Sequence, residues 1–500
     1  MSDQLTVYFT SDTHGFIFPT NFISAEPAAV GLLSMTFPKD GNTLIIDGGD
    51  TLQGSPLTYY CHTNGVPMPT AAIMNAMGYD YVTLGNHDFN YGYGALQAHL
   101  SGLQAQCLCA NVVDAAGAMP LASHAVHVMK NGLRIGIVGA VTDWVNRWEK
   151  PENLTHLRIR DPYAAMAEAV ATLQGKVDVL IGLYHGGFEK DLHTGNVLST
   201  TDENIGCKLC ETLPFDILLT GHQHMGISNT VYHGTHVVQT PCNASAYARV
   251  QIDAQGGITS ALIRPQRAGS MSAEQAKLYQ AMSAWLDSPI GHLSQPLAPA
   301  DKLTMALQGS AIARFFNLVQ MDATGAQVSC ASLGNEVRGF ERNVTVRDVV
   351  ASYVYANTLE VFNITGRLLR QALEQCARFF AVGEDGAVGV APPFRLPKEA
   401  FYNYDFFDGI RYTFDLRNPE GQRVTRMERG GVPVTDTETL TLVMNHYRAT
   451  GAGDYEMYLQ CDRVQEHQTE VSELILNYLR THADVTIPAD NSYTVILPDG

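Results

Sequence analysis

Leu5-Thr6-Val7-Tyr8-Phe9-Thr10-Ser11-Asp12-Thr13-His14 opens on an apolar run and closes on two side chains of cation-binding type. The run Leu5-Thr6-Val7-Tyr8-Phe9 has the composition of a buried β-strand. Asp12 and His14 stand two residues apart just beyond it. In extended chain, residues i and i+2 point the same way, so both side chains can reach one ion. Working outward, the pattern repeats. Thr43-Leu44-Ile45-Ile46-Asp47 runs into Gly48-Gly49-Asp50, and Tyr81-Val82-Thr83-Leu84 runs into Gly85-Asn86-His87-Asp88. The run 177–183 leads to His185, and Phe215-Asp216-Ile217-Leu218-Leu219 leads to Gly221-His222-Gln223-His224. In open α/β sheets, ligands bind outside the carboxyl ends of the strands. These strand ends therefore deliver Asp, His and Asn side chains to one rim.

The donors are oxygen and imidazole, without thiolate. That set favours Mn2+, Zn2+, Fe or Co2+ over a structural cysteine–zinc site. Two divalent ions roughly 3.5–4 Å apart clamp the attacking and leaving oxygens of a phosphoryl transfer, and a carboxylate such as Asp50 can bridge them. Any one of these histidines alone would read as a structural residue; the set changes that reading.

Taken together the blocks resemble the calcineurin-like metallophosphoesterase superfamily, whose pattern is Asp-x-His, Gly-Gly-Asp, Gly-Asn-His-Asp/Glu, a lone His and Gly-His-x-His. All five blocks occur in order between about residues 5 and 250. Each is weak by itself and specific as a set. The resemblance implies that Asp12, His14, Asp50 and His224 hold one ion, and that Asp50, Asn86, His185 and His222 hold the other. It makes His87 the catalytic imidazole, beside Asn86, with a donor placed where charge develops.

The chain has 500 residues, too many for one ordinary core. Its hydrophobic content is 45%, ordinary for a globular protein. A formal charge of −18 argues against a basic groove for nucleic-acid polymer. It leaves room for a small nucleotide substrate, because bound metals supply local positive charge. Nine cysteines, an odd number, do not read as a disulfide framework. Cys207-Lys208-Leu209-Cys210 lacks a second pair and reads as two thiols on one turn of a core helix. No apolar stretch approaches a membrane span. Met1-Ser2-Asp3-Gln4 enters the first strand without a basic or apolar leader, which reads as cytoplasmic; a trimmed leader would make the protein periplasmic or secreted.

Strand and helix runs alternate to about residue 253. Helices are expected over 69–77, 94–103 and 162–173, and strands over 107–112, 126–130, 133–138 and 236–239, with a hairpin turning at Asn131-Gly132. The expected fold is α/β: a two-sheet β-sandwich metallophosphoesterase domain flanked by helices over residues 1–268. Ser272 is a plausible N-cap for a helix to Leu286, inside a helical linker spanning 269–294. Residues 295–500 form a mixed α+β C-terminal domain with helices expected over 307–321 and 366–380.

That second half resembles the C-terminal substrate domain of the 5′-nucleotidase family. The supporting pieces are Asn335-Glu336-Val337-Arg338, Val344-Thr345-Val346-Arg347-Asp348, Asn357-Thr358-Leu359, Tyr404-Asp405-Phe406-Phe407-Asp408-Gly409, Asn445-His446-Tyr447-Arg448-Ala449 and Gly451-Ala452-Gly453-Asp454. The resemblance implies that Tyr355 and Tyr447 stack on a nucleobase, a base-tolerant contact. It implies that Asp454 accepts from ribose hydroxyls, and that Asn335 and Arg338 reach the nucleoside or phosphate. One departure bears on substrate. The 5′-nucleotidase branch reads Asn-His-Glu-Phe-Asp, with the last Asp orienting the catalytic His. Here Asn86-His87-Asp88-Phe89-Asn90-Tyr91-Gly92 places an uncharged amide at that position. This wording is similar to the 2′,3′-cyclic-nucleotide 2′-phosphodiesterase/3′-nucleotidase branch. The expected activity is therefore two-metal hydrolysis of cyclic and 3′-nucleotides. The alternatives are a 5′-nucleotidase or broader phosphatase, and a catalytically silent nucleotide-binding protein.

Overall fold

The alternating runs of the first half build two sheets in the computed structural model. It describes residues 4–22, 25–197, 202–353, 355, 357–396, 399–467, 469–488 and 490–498, so the Met1–Asp3 part of the N-terminal reading lies outside the described residues. In chain order the strands of these two sheets are β1 (Leu5–Thr10), β2 (Thr43–Asp47), β3 (Tyr81–Val82), β4 (Gln106–Leu108), β5 (Leu121–Ala122), β6 (His124–Val128), β7 (Arg134–Val141), β8 (Val179–His185), β9 (Ile217–Thr220), β10 (Ile227–Tyr232), β11 (Thr235–Gln239), β12 (Tyr247–Ile252) and β13 (Ile258–Ile263), and Val112–Asp114 pairs separately with Leu157–Ile159. The numbered strands form a seven-stranded sheet, β13-β12-β1-β2-β3-β4-β5, and a six-stranded sheet, β10-β11-β9-β8-β7-β6. The centres are parallel, β1 with β2 and β2 with β3 in one sheet, and β7, β8, β9 and β11 in the other. Antiparallel strands β12 and β6 add to them.

The side-chain period of two decides what each sheet faces. Leu5, Val7 and Phe9 of β1, Leu44 and Ile46 of β2, Ile135 and Ile137 of β7, Ile181 and Leu183 of β8, and Ile217 and Leu219 of β9 form one buried cluster. The intervening residues Val138, Leu180, Tyr184 and Leu218 face the other way and pack under the helices Pro162–Leu173 and Gly206–Thr212. Burial on both faces is why these strands read as unbroken apolar runs. Asp161 caps the first of those helices by accepting from Tyr163 N, with Pro162 at its first position. Cys207 and Cys210 are buried in the second, and burial pushes both thiols up to about 12. All the cysteines are free.

Two expected elements differ. The run 107–112 is not one strand: β4 ends at Leu108, and a second strand begins at Val112. Between them, buried Asn111 donates its side-chain amide to Val141 O at 2.7 Å and Arg160 O at 3.1 Å. The chain changes sheet partners there, Cys109 N donating to Ala122 O and Ala110 N to Gly139 O, both at 2.7 Å. The helix expected over 307–321 is two helices, Lys302–Gln308 and Ala311–Thr324. Gly309 at φ 90° stops the first, and Ser310 caps the second by accepting from Ala313 N.

The chain separates into two compact units, Met1–Met282 and Ser283–Gly500. Helix Ala273–Leu286 is started by a reciprocal cap, Ser272 Oγ accepting from Gln275 N at 3.2 Å and Gln275 Oε1 from Ser272 N at 2.8 Å. The second unit holds a five-stranded sheet in the order Asp405–Asp408, Val328–Ser332, Thr439–Asn445, Leu359–Thr365, Asp462–His467, and a four-stranded sheet centred on Val424–Arg429 and Arg411–Asp415. Among the described residues no helix is long and apolar enough to cross a membrane.

Candidate metal centre

The loops leaving β1, β2, β3, β8 and β9 converge, and their backbones are unusual. Asp12, His14, Asp50, His222 and His224 all have positive φ, between 49° and 69°. The extended-chain reading of Asp12-x-His14 and His222-x-His224 therefore fails. The strands end first, and each side chain is aimed by a left-handed backbone that L-residues adopt reluctantly. Such conformations persist where surrounding structure over-determines them. Here the loops bond to one another: Gly48 N donates to Thr10 O at 2.7 Å, Asp12 N to Gly49 O at 2.9 Å, His14 N to Asp50 O at 2.8 Å and Asn243 N to Asp12 O at 2.8 Å. Gly49, at φ 90°, meets Gly85 backbone to backbone, and a Cβ at Gly49 would run into Gly85 N. Asp88 fastens the β2 and β3 loops together. Its carboxylate accepts from Asp50 N, Thr51 N, Leu52 N and Gly85 N at 2.8–3.0 Å.

Several of the expected ligands are oriented by a second bond. A carbonyl only accepts, so His14 Nδ1 donates to Gln53 O at 2.9 Å and His185 Nδ1 donates to Gly48 O at 2.7 Å. Both rings thereby turn Nε2 inward. Asp12 Oδ2 accepts from Ser11 Oγ and Asp12 Oδ1 from His222 N. Asp50 Oδ1 accepts from His87 N at 2.7 Å. Its other oxygen, Oδ2, lies 3.2 Å from His185 Nε2 and 4.0 Å from His14 Nε2. His14 Nε2 and His224 Nε2 approach to 3.1 Å, and His224 Nε2 lies 3.3 Å from Asp12 Oδ1. Asn86 Oδ1 and His222 Nδ1 meet at 2.9 Å, and the rings of His185 and His222 lie 5.8 Å apart.

Three contributors escaped the sequence reading. Glu203 meets His222 Nε2 at 2.8 Å, Trp148 stacks on the His222 ring at 5.3 Å, and buried Glu149 bonds Asn90. None belongs to a motif, so the sequence carried no local signal for them.

In the second unit, Tyr355 is exposed and meets Tyr402 edge-on at 6.5 Å. Tyr447 is half-buried in the short helix His446–Ala449, and Asp454 is exposed at φ 67°. Asn335 uses both ends of its amide on its own chain, donating to Glu399 O at 2.7 Å and accepting from Phe401 N at 3.0 Å. Arg338 Nε lies 3.3 Å from Asp348.

Residues 5–226 match the Calcineurin-like phosphoesterase family, and residues 289–460 match the 5′-nucleotidase C-terminal domain. A Staphylococcus aureus protein with a provisional 5′-nucleotidase designation, solved in complex with alpha-ketoglutarate, is 30% identical and covers 98% of this chain and 99% of its own, with a TM-score of 0.89. The chain is a calcineurin-like phosphoesterase with a 5′-nucleotidase C-terminal domain. A Haemophilus influenzae 2′,3′-cyclic-nucleotide 2′-phosphodiesterase/3′-nucleotidase is 24% identical over 90% of this chain and 80% of its own length. The Trifunctional nucleotide phosphoesterase protein YfkN of Bacillus subtilis is 22% identical over 98% of the chain, which spans 39% of that relative's length. A 5′-nucleotidase precursor from Thermus thermophilus, 22% identical with a TM-score of 0.66, shares the fold.

Members of this family use divalent metal ions, and the phosphoesterase has a cluster that fits them. Asp12, His14, Asp50 and His224 offer ligand atoms that all lie within 4.8 Å of one another. Among the described residues, Asp50 Oδ2 and His185 Nε2 are buried without a hydrogen-bond partner, although they face each other. Burial works against charge throughout the cluster, yet His224 and His185 hold Asp12 below the usual carboxylate range, and His185 and His87 do the same for Asp50. Burial likewise opposes charge on His185, but Asp50 and Asp12 carry it up to about 9; Cys242 and Asp12 carry His224 up to about 10. The buried carboxylates and imidazoles thus favour one another's charged forms, and a divalent cation fits the same concentration of negative charge.

Asp47, behind the Gly-Gly-Asp loop, titrates the other way. Burial raises it to about 7, against the pull of Thr10, Thr51 and Gly49, which donate to it at 2.6, 2.8 and 3.0 Å. Between the ordinary value of 3.8 and about 7 the folded state keeps a proton that the unfolded chain has lost. Stability therefore falls as pH rises through that window, by about 4 kcal/mol. Asp47→Asn keeps an acceptor for Gly49 and Thr51 and supplies an N–H toward Thr10. In chelator, urea denaturation of this variant is expected to show a flatter loss between pH 5 and pH 8. An unchanged slope would remove Asp47 as its source.

Proposed function

We propose that this phosphoesterase hydrolyses nucleotide phosphoesters, opening 2′,3′-cyclic nucleotides and removing the 3′-phosphate. The observation that carries the reading is the convergence around Asp50, whose two carboxylate oxygens part, one bonding the His87 backbone and the other facing the imidazoles. Asp12, His14, Asp50 and His224 would hold one divalent ion, and Asp50, Asn86, His185 and His222 the other. When bound, such ions supply Lewis-acid stabilisation of the charge that develops on the phosphoryl oxygens.

The chain's own residues do the rest. Gln53 O and Gly48 O fix the His14 and His185 rings, so their lone pairs are preorganised. His87 hydrogen-bonds the leaving oxygen and delivers its proton. Tyr355 and Tyr447 offer flat faces for the base, and Asp454 an acceptor for ribose hydroxyls. Asn335 and Arg338 act more as struts of their own loops, given their bonds to Glu399, Phe401 and Asp348.

The Phe89-Asn90-Tyr91-Gly92 wording and the name of the Haemophilus influenzae relative support the cyclic and 3′ substrates. The Staphylococcus aureus relative, with its higher identity, favours a 5′-nucleotidase as the second reading. Phosphate release from 2′,3′-cyclic AMP, 3′-AMP and 5′-AMP, with Mn2+ and with chelator, separates them. Fast, chelator-sensitive turnover of the first two is expected. Preference for 5′-AMP would transfer the assignment to the second reading, and no turnover of any ester would overturn both.

A further inference from the structure

Position 90 carries an amide, yet a carboxylate stands directly behind it. His87 Nδ1 lies 2.8 Å from Asn90 Oδ1, and Asn90 Nδ2 donates to Glu149 Oε2 at 2.7 Å. Glu149 is 7% exposed. Its other oxygen accepts from Asn153 Nδ2 at 2.7 Å and from Lys150 N at 2.8 Å. Asn153 Nδ2 also donates to Asn90 O at 3.2 Å, so the same amide braces the Asn90 backbone.

The direction of each bond follows from chemistry. The two ends of an asparagine amide have nearly the same shape, and its partners decide which way it turns. A carboxylate accepts, so Asn90 turns its NH2 toward Glu149 and its oxygen toward His87. That oxygen also only accepts, so His87 Nδ1 carries a proton. The proton on Nδ1 and the ring orientation are thereby fixed, and Nε2 is left to carry the second proton of the imidazolium, the one given to the leaving oxygen.

We propose that Glu149 is a positioning residue for His87, acting through Asn90, and that the pair Asn90–Glu149 does the work of a single carboxylate at position 90. The proposal rests on the role given to His87 above. Glu149 could instead simply tie the turn at 149–153 to the Asn90 loop, and the test separates the two roles.

Kinetics are measured on the Mn2+-supplied enzyme with its best nucleotide monoester and with 4-nitrophenyl phosphate. The first expels an alkoxide that needs a proton, and the second expels a phenolate that does not. Gln at 149 can present either end of its amide, so Glu149→Gln frees Asn90 to flip and releases the His87 ring. The expected result is a kcat roughly 10- to 100-fold lower on the nucleotide, with KM changed by less than about threefold. On the nitrophenyl ester the expected loss is below about threefold. Asn90→Asp alone sets two carboxylates against each other and is expected to be slow. Asn90→Asp with Glu149→Gln restores a carboxylate for His87 Nδ1 and an N–H facing it, and is expected to return the nucleotide rate to within about fivefold of wild type.

Equal losses on both esters, or no loss on either, would overturn the proposal. So would a double variant no faster than either single one. If Glu149→Gln does not fold, the comparison of Asn90→Asp with the double variant still decides. His87→Ala separates this proposal from the reading beneath it. A large nucleotide-specific loss in His87→Ala with an unaffected Glu149→Gln sinks the relay alone. Full turnover in His87→Ala sinks the relay and the role of His87 together.

Discussion

Asp50→Asn is expected to lower kcat/KM for every phosphoester by about 10^3-fold or more, corresponding to roughly 4 kcal/mol of lost transition-state stabilisation. The reason lies in how Asp50 divides its oxygens. Oδ1 accepts from His87 N at 2.7 Å, while Oδ2 is buried, has no hydrogen-bond partner among the described residues, and faces His185 Nε2 at 3.2 Å. An asparagine of the same shape must keep its oxygen toward the His87 N–H. Its NH2 then points at the imidazoles. An N–H has no lone pair to offer a cation, so the proposed bridge is lost while the interlocked loops keep their bonds. Elemental analysis is expected to find two ions per wild-type chain and one or fewer in the variant. The rise in melting temperature on adding Mn2+ should shrink with it, because an ion that binds the folded state less tightly stabilises it less. Activity within tenfold of wild type, with two ions still bound, would take Asp50 out of the bridging role.

How much of this was legible in the sequence depended on whether the signal was local. The sandwich could be read because both faces of β8 and β9 are buried, which writes Val179–His185 and Ile217–Thr220 as continuous apolar runs. The blocks of candidate ligands could be picked out because each follows its strand within a few residues. Their geometry was not legible. Spacing of i and i+2 suggested extended chain at Asp12-x-His14, whereas the loops hold both residues at positive φ through bonds to partners as distant as Gly49 and Asp50. The break at Gly309-Ser310 was written locally but lost beneath apolar periodicity on both sides of it. Glu149 and Glu203 were out of reach for a different reason. Glu149 lies 59 residues from Asn90, and Glu203 lies 19 from His222, so tertiary structure alone brings each to its partner.

The Asn445-His446-Tyr447-Arg448 block reads differently once its arginine is seen to be buried, and a second large effect follows. Arg448 is 1% exposed. Its guanidinium pairs with Asp405 at 2.8 Å, donates to Tyr402 O at 2.8 Å and to Ala452 O, and lies 4.2 Å over the Tyr455 ring. Gly453 passes so close that a Cβ there would run into Arg448 and Asn403. Burial raises the Asp405 carboxyl, and Arg448 opposes that rise. Removing one partner of such a pair leaves an uncompensated buried charge, so Arg448→Met is expected to destabilise the second unit by about 3–5 kcal/mol. Adding Asp405→Asn removes the stranded carboxylate and should recover most of the loss, since apolar or neutral replacements of both partners are often tolerated. Hydrogen exchange over peptides covering 400–410 and 440–460, with urea denaturation of the intact chain, reads both variants. A cost below about 1 kcal/mol for Arg448→Met, or no recovery in the double variant, would remove the pair as the brace. Tyr447 precedes this arginine and Asp454 follows Gly453, so both nucleoside-facing candidates hang on it. A nucleotide KM that rises in Arg448→Met, with the nitrophenyl ester unaffected, is the expected kinetic counterpart of that loosening.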